Sequence, residues 1–224
     1  MDILREKTLI ITGHYGSGKT NLAINLAKSI HSAGTSVTLA DLDIVNPYFR
    51  TADFRQWAGR EGIGLVSSDY AASGLDVPAL SPAVDAQIGS KETTLIIDVG
   101  GDDAGAYALG RYAPRLKASG YLMVYVVNAF RLLTKTPEEA LGLLYEIERA
   151  SRLKAGCVVN NSNLSDQTTP EDVQSSVRYA QKIAEQAKIP LAMTSVRRNI
   201  YEKLADKNGF YPVDIYMKPP WAED

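Results

Sequence analysis

Gly13-His14-Tyr15-Gly16-Ser17-Gly18-Lys19-Thr20 is the segment whose residue types and spacing most directly imply chemistry. It fits G-x-x-x-x-G-K-[ST] at every fixed position, the pattern of a loop that wraps phosphate. Glycines let the main chain close around an oxyanion in torsions that other residues avoid. Successive N–H groups and a following helix N-terminus offer positive potential to phosphate oxygens. Lys19 is placed to reach β- and γ-phosphate oxygens, and the Thr20 hydroxyl to ligate Mg2+. Asn21, next in the chain, counts with the loop as a nucleotide contact. A lysine in the first turn of a helix otherwise opposes the helix dipole, which argues for an anion beside it.

Such a loop needs a metal and a group that orients a nucleophile, and carboxylates at strand ends supply candidates. Leu39-Ala40-Asp41-Leu42-Asp43 ends a strand-like run with two acids two residues apart, and such residues share one face of a strand. Thr94-Leu95-Ile96-Ile97-Asp98 is an apolar run closed by an acid and followed by Val99-Gly100-Gly101, the form of a Mg2+-organising residue. Helix capping and turn formation are the plain alternatives for these acids. Asp102 and Asp103 lie in a glycine-rich turn, with either a loop or a switch role.

The elements that position these groups follow from periodicity. Strand-like runs at Thr8–Thr12, Ser36–Asp41, Leu65–Val66, Thr94–Asp98, Tyr121–Val127, Cys157–Asn160 and Leu191–Thr194 alternate with helical patterns. The helical segments are 20–33, 51–60, 107–118 (broken near Pro114), 137–152 and 170–188, with Pro170 suited to a first turn. Residues 67–92 read as loop with one short helix. This alternation predicts an α/β fold, a doubly wound, mostly parallel sheet flanked by helices. Ligands of such sheets sit beyond the carboxyl ends of the strands. A single domain over residues 1–224 is expected, with a proline-rich C-terminal tail from about residue 210.

Composition narrows the function classes. Hydrophobic residues at 45% and charged residues at 22% over 224 residues suffice for a core without disulfides. A net charge of −2 argues against a general nucleic-acid-coating role. One cysteine, Cys157, rules out an internal disulfide and a four-cysteine metal or iron–sulfur site within the chain. No apolar run approaches the ~20 residues that span a bilayer. Pro212, Pro219 and Pro220 argue against an amphipathic membrane-targeting helix at the C-terminus. A cytoplasmic protein is the expectation, since the first residues are charged and lead straight into a strand.

Taken together, the phosphate loop at the extreme N-terminus, Asp41-x-Asp43, Asp98-x-x-Gly101 and Gly156-Cys157-Val158-Val159-Asn160 resemble the MinD/ParA/nitrogenase-iron-protein group of phosphate-loop NTPases. The resemblance spans most of the chain. It implies ATP with Mg2+, a nucleotide-gated homodimer and a client protein that reads the nucleotide state. It assigns Asp43 to the attacking water, Asp41 to the Mg2+ shell and Asn160 to the adenine, with Asn161 as the neighbour one register away. The departure is at His14, where many members carry a lysine that crosses to the partner's phosphates. A histidine is charged only below about pH 6.5. Three consequences stay open: His14 acts in that lysine's place, hydrolysis is slow, or the dimer differs. Arg50, in a segment that would form the first switch loop, and Arg197 and Arg198 after the last strand are other cations within reach.

The leading expectation is an ATP-hydrolysing switch whose segments near residues 43–50 and 99–105 order with nucleotide. A small-molecule phosphotransferase or ATP-dependent ligase on the same scaffold, or a non-catalytic nucleotide-binding adaptor, are the alternatives. The lone cysteine disfavours an iron–sulfur carrier.

Overall fold

Alternating apolar runs and amphipathic helices fold as the periodicity requires. The computed structural model describes residues 2–43, 52–67 and 82–216. The strands are β1 (Thr8–Thr12), β2 (Ser36–Leu42), β3 (Gly64–Ser67), β4 (Thr93–Val99), β5 (Leu122–Val127), β6 (Ala155–Asn160), β7 (Leu191–Arg197) and β8 (Phe210–Val213). The helices are α1 (Lys19–Ser32), α2 (Ala52–Glu61), α3 (Pro82–Gln87), α4 (Asp103–Gly110), α5 (Ala113–Ser119), α6 (Pro137–Ser151), α7 (Pro170–Ala187) and α8 (Arg198–Tyr201). Arg50 and the first-switch segment around it, the bulk of the 67–92 loop, and Pro219 and Pro220 of the tail lie outside the described residues.

The eight strands form one sheet in the order β3-β2-β4-β1-β5-β6-β7-β8, and every pairing is parallel. The strand carrying the phosphate loop is thus central, with β4 on one side and β5 on the other. Alternate residues of the central strands feed two cores. Ile10, Ile97, Met123, Tyr125 and Val158 point to a layer that α3 to α7 cover. Leu9, Ile11, Ile96, Val124 and Val159 point to the opposite layer, against α1 and α2. Burial on both faces explains why these strands read as unbroken apolar runs. Among the described residues, no helix is long and apolar enough to cross a membrane.

Local chemistry sets the helix starts. Thr136 with Glu139, and Thr169 with Asp172, form capping boxes ahead of α6 and α7, each with a proline in the first turn. The helix expected over 107–118 is two helices, α4 and α5, separated at Arg111 and Tyr112. Pro114 causes this, because in a continuous helix its ring would collide with the carbonyl of Gly110. That carbonyl accepts from the Arg152 guanidinium.

The C-terminal part of the sheet departs most from expectation. β7 continues to Arg197, and residues 210–213, expected as the start of a tail, add β8 at the sheet edge. Proline within the run hid this strand. Pro212 is tolerated because an edge strand need not donate on its outer side.

Candidate functional site

The phosphate loop leaves the carboxyl end of β1 and turns into α1. Gly18 caps the helix in the left-handed region, at φ +87°, with no side chain over the first-turn N–H groups. First-turn N–H groups without a side-chain cap are the donors that an anion at a helix N-terminus uses. The loop is pinned from below. A Cβ on Gly13 would lie 2.2 Å from the Val126 carbonyl oxygen, and one on Gly18 would lie 2.2 Å from Asn161 Nδ2. The His14 carbonyl accepts from Ser17 N at 3.1 Å and from Lys19 Nζ at 3.1 Å. Tyr15 is exposed, and the His14 ring contacts the Tyr15 carbonyl at 2.7 Å.

Buried charge gathers beneath this loop. Lys19 is 6% exposed and Asp98 2%. Thr20 Oγ1 donates to Asp98 Oδ2 at 2.5 Å, while the buried Asp98 Oδ1 and Ser17 Oγ have no hydrogen-bond partner among the described residues. Burial pushes the Asp98 carboxyl up to about 7 against the attraction of Lys19, with repulsion from Asp41 and Asp43 adding to the rise. Burial likewise lowers the Lys19 ammonium, although Asp98, Asp43 and Asp102 oppose this. Both groups are therefore held short of comfortable ionisation, and a bound cation beside Asp98 with an anion beside Lys19 would relieve both.

Asp41 and Asp98 are register partners on β2 and β4. Asp41 is 1% exposed, and its Oδ1 accepts from Asp43 N at 2.9 Å, a turn that directs the chain beyond β2. Asp43 Oδ1 lies 3.3 Å from where a Cβ of Gly100 would stand, placing its carboxylate against the loop after β4. Asp102 caps α4 by accepting from Gly105 N at 2.9 Å. Thr20, Asp41, Asp43, Asp98 and Lys19 thus converge from three strand ends. An orphaned carboxylate oxygen beside a hydroxyl fits Mg2+, an ion that keeps water and phosphate oxygens as its other ligands. Among the described residues, no group of three or more His, Cys, Asp or Glu side chains is arranged to hold a metal. Cys157 is wholly buried, and burial pushes its thiol up to about 12.

A cleft of about 790 Å³ runs from Gly16 and Gly18 across the carboxyl ends of β6, β7 and β8. Asn160, expected as the base contact, does not line it. Asn160 is 0% exposed, donates to Ser176 Oγ at 2.9 Å, and accepts from Ser162 N and Oγ at 3.1 and 2.6 Å. Asn161 lines the cleft. Its Nδ2 donates to the Ser17 carbonyl at 2.7 Å and its Oδ1 accepts from Ser195 Oγ at 2.5 Å, tying the loop to β7. Asn21 also lines the cleft, with both ends of its amide hydrogen-bonded to the chain after β8.

Sequence reasoning missed Arg131, Asn163, Ser195 and Asp214, which line the same cleft. Arg131 lies over Gly16, its Nε 3.4 Å from where a Cβ would stand. No motif marks these residues; Arg131, Asn163 and Asp214 follow β5, β6 and β8, and Ser195 lies near the carboxyl end of β7. Arg197 and Arg198 line the cleft as well, paired with Asp166 at 2.5 Å and with Asp214 at 2.8 Å.

No family model and no curated protein matches this chain. Solved structures do. Chloroplast FtsY from Physcomitrella patens superposes with TM-score 0.59 at 18% identity, covering 88% of this chain and 60% of that one. The cell division protein FtsY from Thermotoga maritima gives 0.55 at 20% identity, over 84% and 61%. The signal recognition particle 54 kDa protein from Aeropyrum pernix K1, in complex with GDP, gives 0.54 at 16% identity, over 84% and 40%. The likeness is one of fold, an α/β architecture of the phosphate-loop NTPase type, and this chain spans less than two thirds of each of those chains.

Proposed function

We propose that this protein is a Mg2+-dependent ATP-hydrolysing switch that acts on a partner protein. The observation that carries the reading is the Lys19–Thr20–Asp98 group, with Lys19 and Asp98 buried, beside a loop that enters α1 through Gly18 with no side-chain cap. Thr20 and Asp98 would hold the ion, with Asp41 behind them. The ion supplies charge neutralisation on the transferred phosphoryl group. Lys19 leaves the His14 carbonyl for the β- and γ-phosphate oxygens, and the loop N–H groups hold the same oxygens. Asp43 orients the water that attacks the γ-phosphorus. Adenine is proposed over guanine on the resemblance drawn from the sequence, and because Asp214, an acid that lines the cleft and could take the guanine N1–H, has both carboxylate oxygens bonded to Arg198.

Exposed Tyr15, Leu132 and Leu133 support a partner that docks at the mouth of the loop, proposed as a second copy of the chain in the ATP state. GDP in the Aeropyrum pernix structure makes GTP the competing nucleotide to test.

Calorimetry with ATP, GTP and Mg2+ tests the site. Lys19→Ala should lower ATP affinity by about a hundredfold or more, since a desolvated charge pair is lost. Equal affinity in the variant rejects the site, and a preference for GTP rejects the base assignment. Asp43→Ala should keep ATP binding and abolish phosphate release. Turnover that depends on an added small-molecule acceptor would move the assignment to a phosphotransferase. Light scattering should show dimer with a non-hydrolysable ATP analogue and monomer with ADP.

A further inference from the structure

Asn21 and Asn25 stand one turn apart on α1 and both face the chain leaving β8. Asn25 Nδ2 donates to the Asp214 carbonyl at 2.9 Å, and its Oδ1 accepts from Asp214 N at 2.8 Å. Asn21 Nδ2 donates to the same carbonyl at 3.0 Å, and its Oδ1 accepts from Tyr216 N at 2.9 Å. Two side-chain amides thereby make the hydrogen bonds that a neighbouring strand would make. The strap is fastened further along. The Tyr211 hydroxyl sits 2.5 Å from Ser29 Oγ and donates to the Asn25 carbonyl at 3.2 Å. The Tyr216 ring lies 5.2 Å from Trp57 and 5.3 Å from Lys28 Nζ.

This strap reaches the candidate site. Val213, Asp214 and Ile215 line the cleft. The Asp214 carboxylate receives Arg198 Nε and Nη2, each at 2.8 Å, and those bonds hold it below the usual carboxylate range. Asn25 itself is 5% exposed and is not on the cleft wall. Its Nδ2 also donates to the Asn21 carbonyl one turn back at 2.8 Å, and its remaining two bonds both go to residue 214.

We infer that Asn25 is a positioning residue for the nucleoside half of the ligand. Through Asp214 it fixes the wall, including the Arg198 pair, against which base and ribose pack, while the phosphate loop holds the polyphosphate independently. The inference rests on the nucleotide reading above and adds that the two halves of the ligand are recognised separately, with the C-terminal strap serving one of them.

The test compares Mg-ATP with Mg-tripolyphosphate, which lacks the nucleoside, by calorimetry on the full chain. Asn25→Ala should weaken ATP about tenfold, the effect of losing one to two net hydrogen bonds' worth of positioning, and leave tripolyphosphate unchanged. Tyr211→Phe, which keeps the ring and removes only the hydroxyl, should act in the same direction and less strongly, and serves if Asn25→Ala fails to fold. Equal weakening of both ligands by these variants, or no change in either, overturns the positioning role. Wild-type protein that binds ATP no better than tripolyphosphate also overturns it. Wild-type protein that binds neither rejects the nucleotide site itself.

Discussion

Between Gly13 and Thr20 the chain builds the candidate phosphate loop from consecutive residues, whereas the facing wall of the cleft takes Asn161 from the end of β6, Ser195 and Arg197 from β7 and Asp214 from beyond β8. The two regions also differ in how their polar groups are satisfied. Beneath the loop, Asp98 Oδ1 and Ser17 Oγ are buried without a hydrogen bond among the described residues, and burial disfavours the charged forms of Lys19 and Asp98. At the carboxyl end of β6, the amides of Asn160, Asn161 and Asn163 each donate and accept within a hydrogen-bond network. On the proposed reading the difference separates reactive parts from scaffold: a region that receives Mg2+ and phosphate keeps unmet polar capacity, and a region that keeps its shape does not.

The largest expected effect tests the strained region by pH. The Asp98 carboxyl is raised to about 7 in the fold, so between about pH 4 and pH 7 the native state binds more protons than the unfolded chain. Stability of the metal-free protein should therefore fall as pH rises through this window and level off above it, by about 4 kcal/mol in all. Asp98→Asn should remove that slope and make the protein more stable than wild type at pH 8, read by thermal unfolding in chelator. A flat wild-type profile would remove the strain from the comparison. Next in size is Gly13→Ala, where the new Cβ meets a main-chain carbonyl at 2.2 Å at φ +146°. It should destabilise by about 3 kcal/mol in urea unfolding. Smallest is Asn160→Ala, which breaks the buried amide network. A loss of about 1 to 2 kcal/mol is expected, with ATP affinity unchanged. Lost affinity with intact stability would return Asn160 to the base and erase the boundary between scaffold and site.

Legibility followed the same boundary. β1, β2, β4 and β5 were readable because strands buried on both faces leave unbroken apolar runs. Asp41, Asp43 and Asp98 were readable because strand ends in a parallel sheet share one edge. The break between α4 and α5 fell earlier than expected because Pro114 acts on the carbonyl four residues before it. β8 was hidden by Pro212, which propensity reads as a breaker and an edge strand accepts. Asn160 and Asn161 are not told apart by the sequence, because register at a strand end decides which of two identical side chains faces the cleft, and a shift of one residue exchanges them.

By itself, the sequence determined the candidate phosphate loop and the parallel layered architecture, because both are written in consecutive residues through main-chain torsion and hydrophobic period. Only the tertiary structure decided the facing wall of the cleft and the strap that holds it. Those groups are as far apart in the chain as residue 21 in the first turn of α1 and residue 214 beyond β8, and no local rule links them until the sheet order β1-β5-β6-β7-β8 brings β8 and the chain beyond it back against α1.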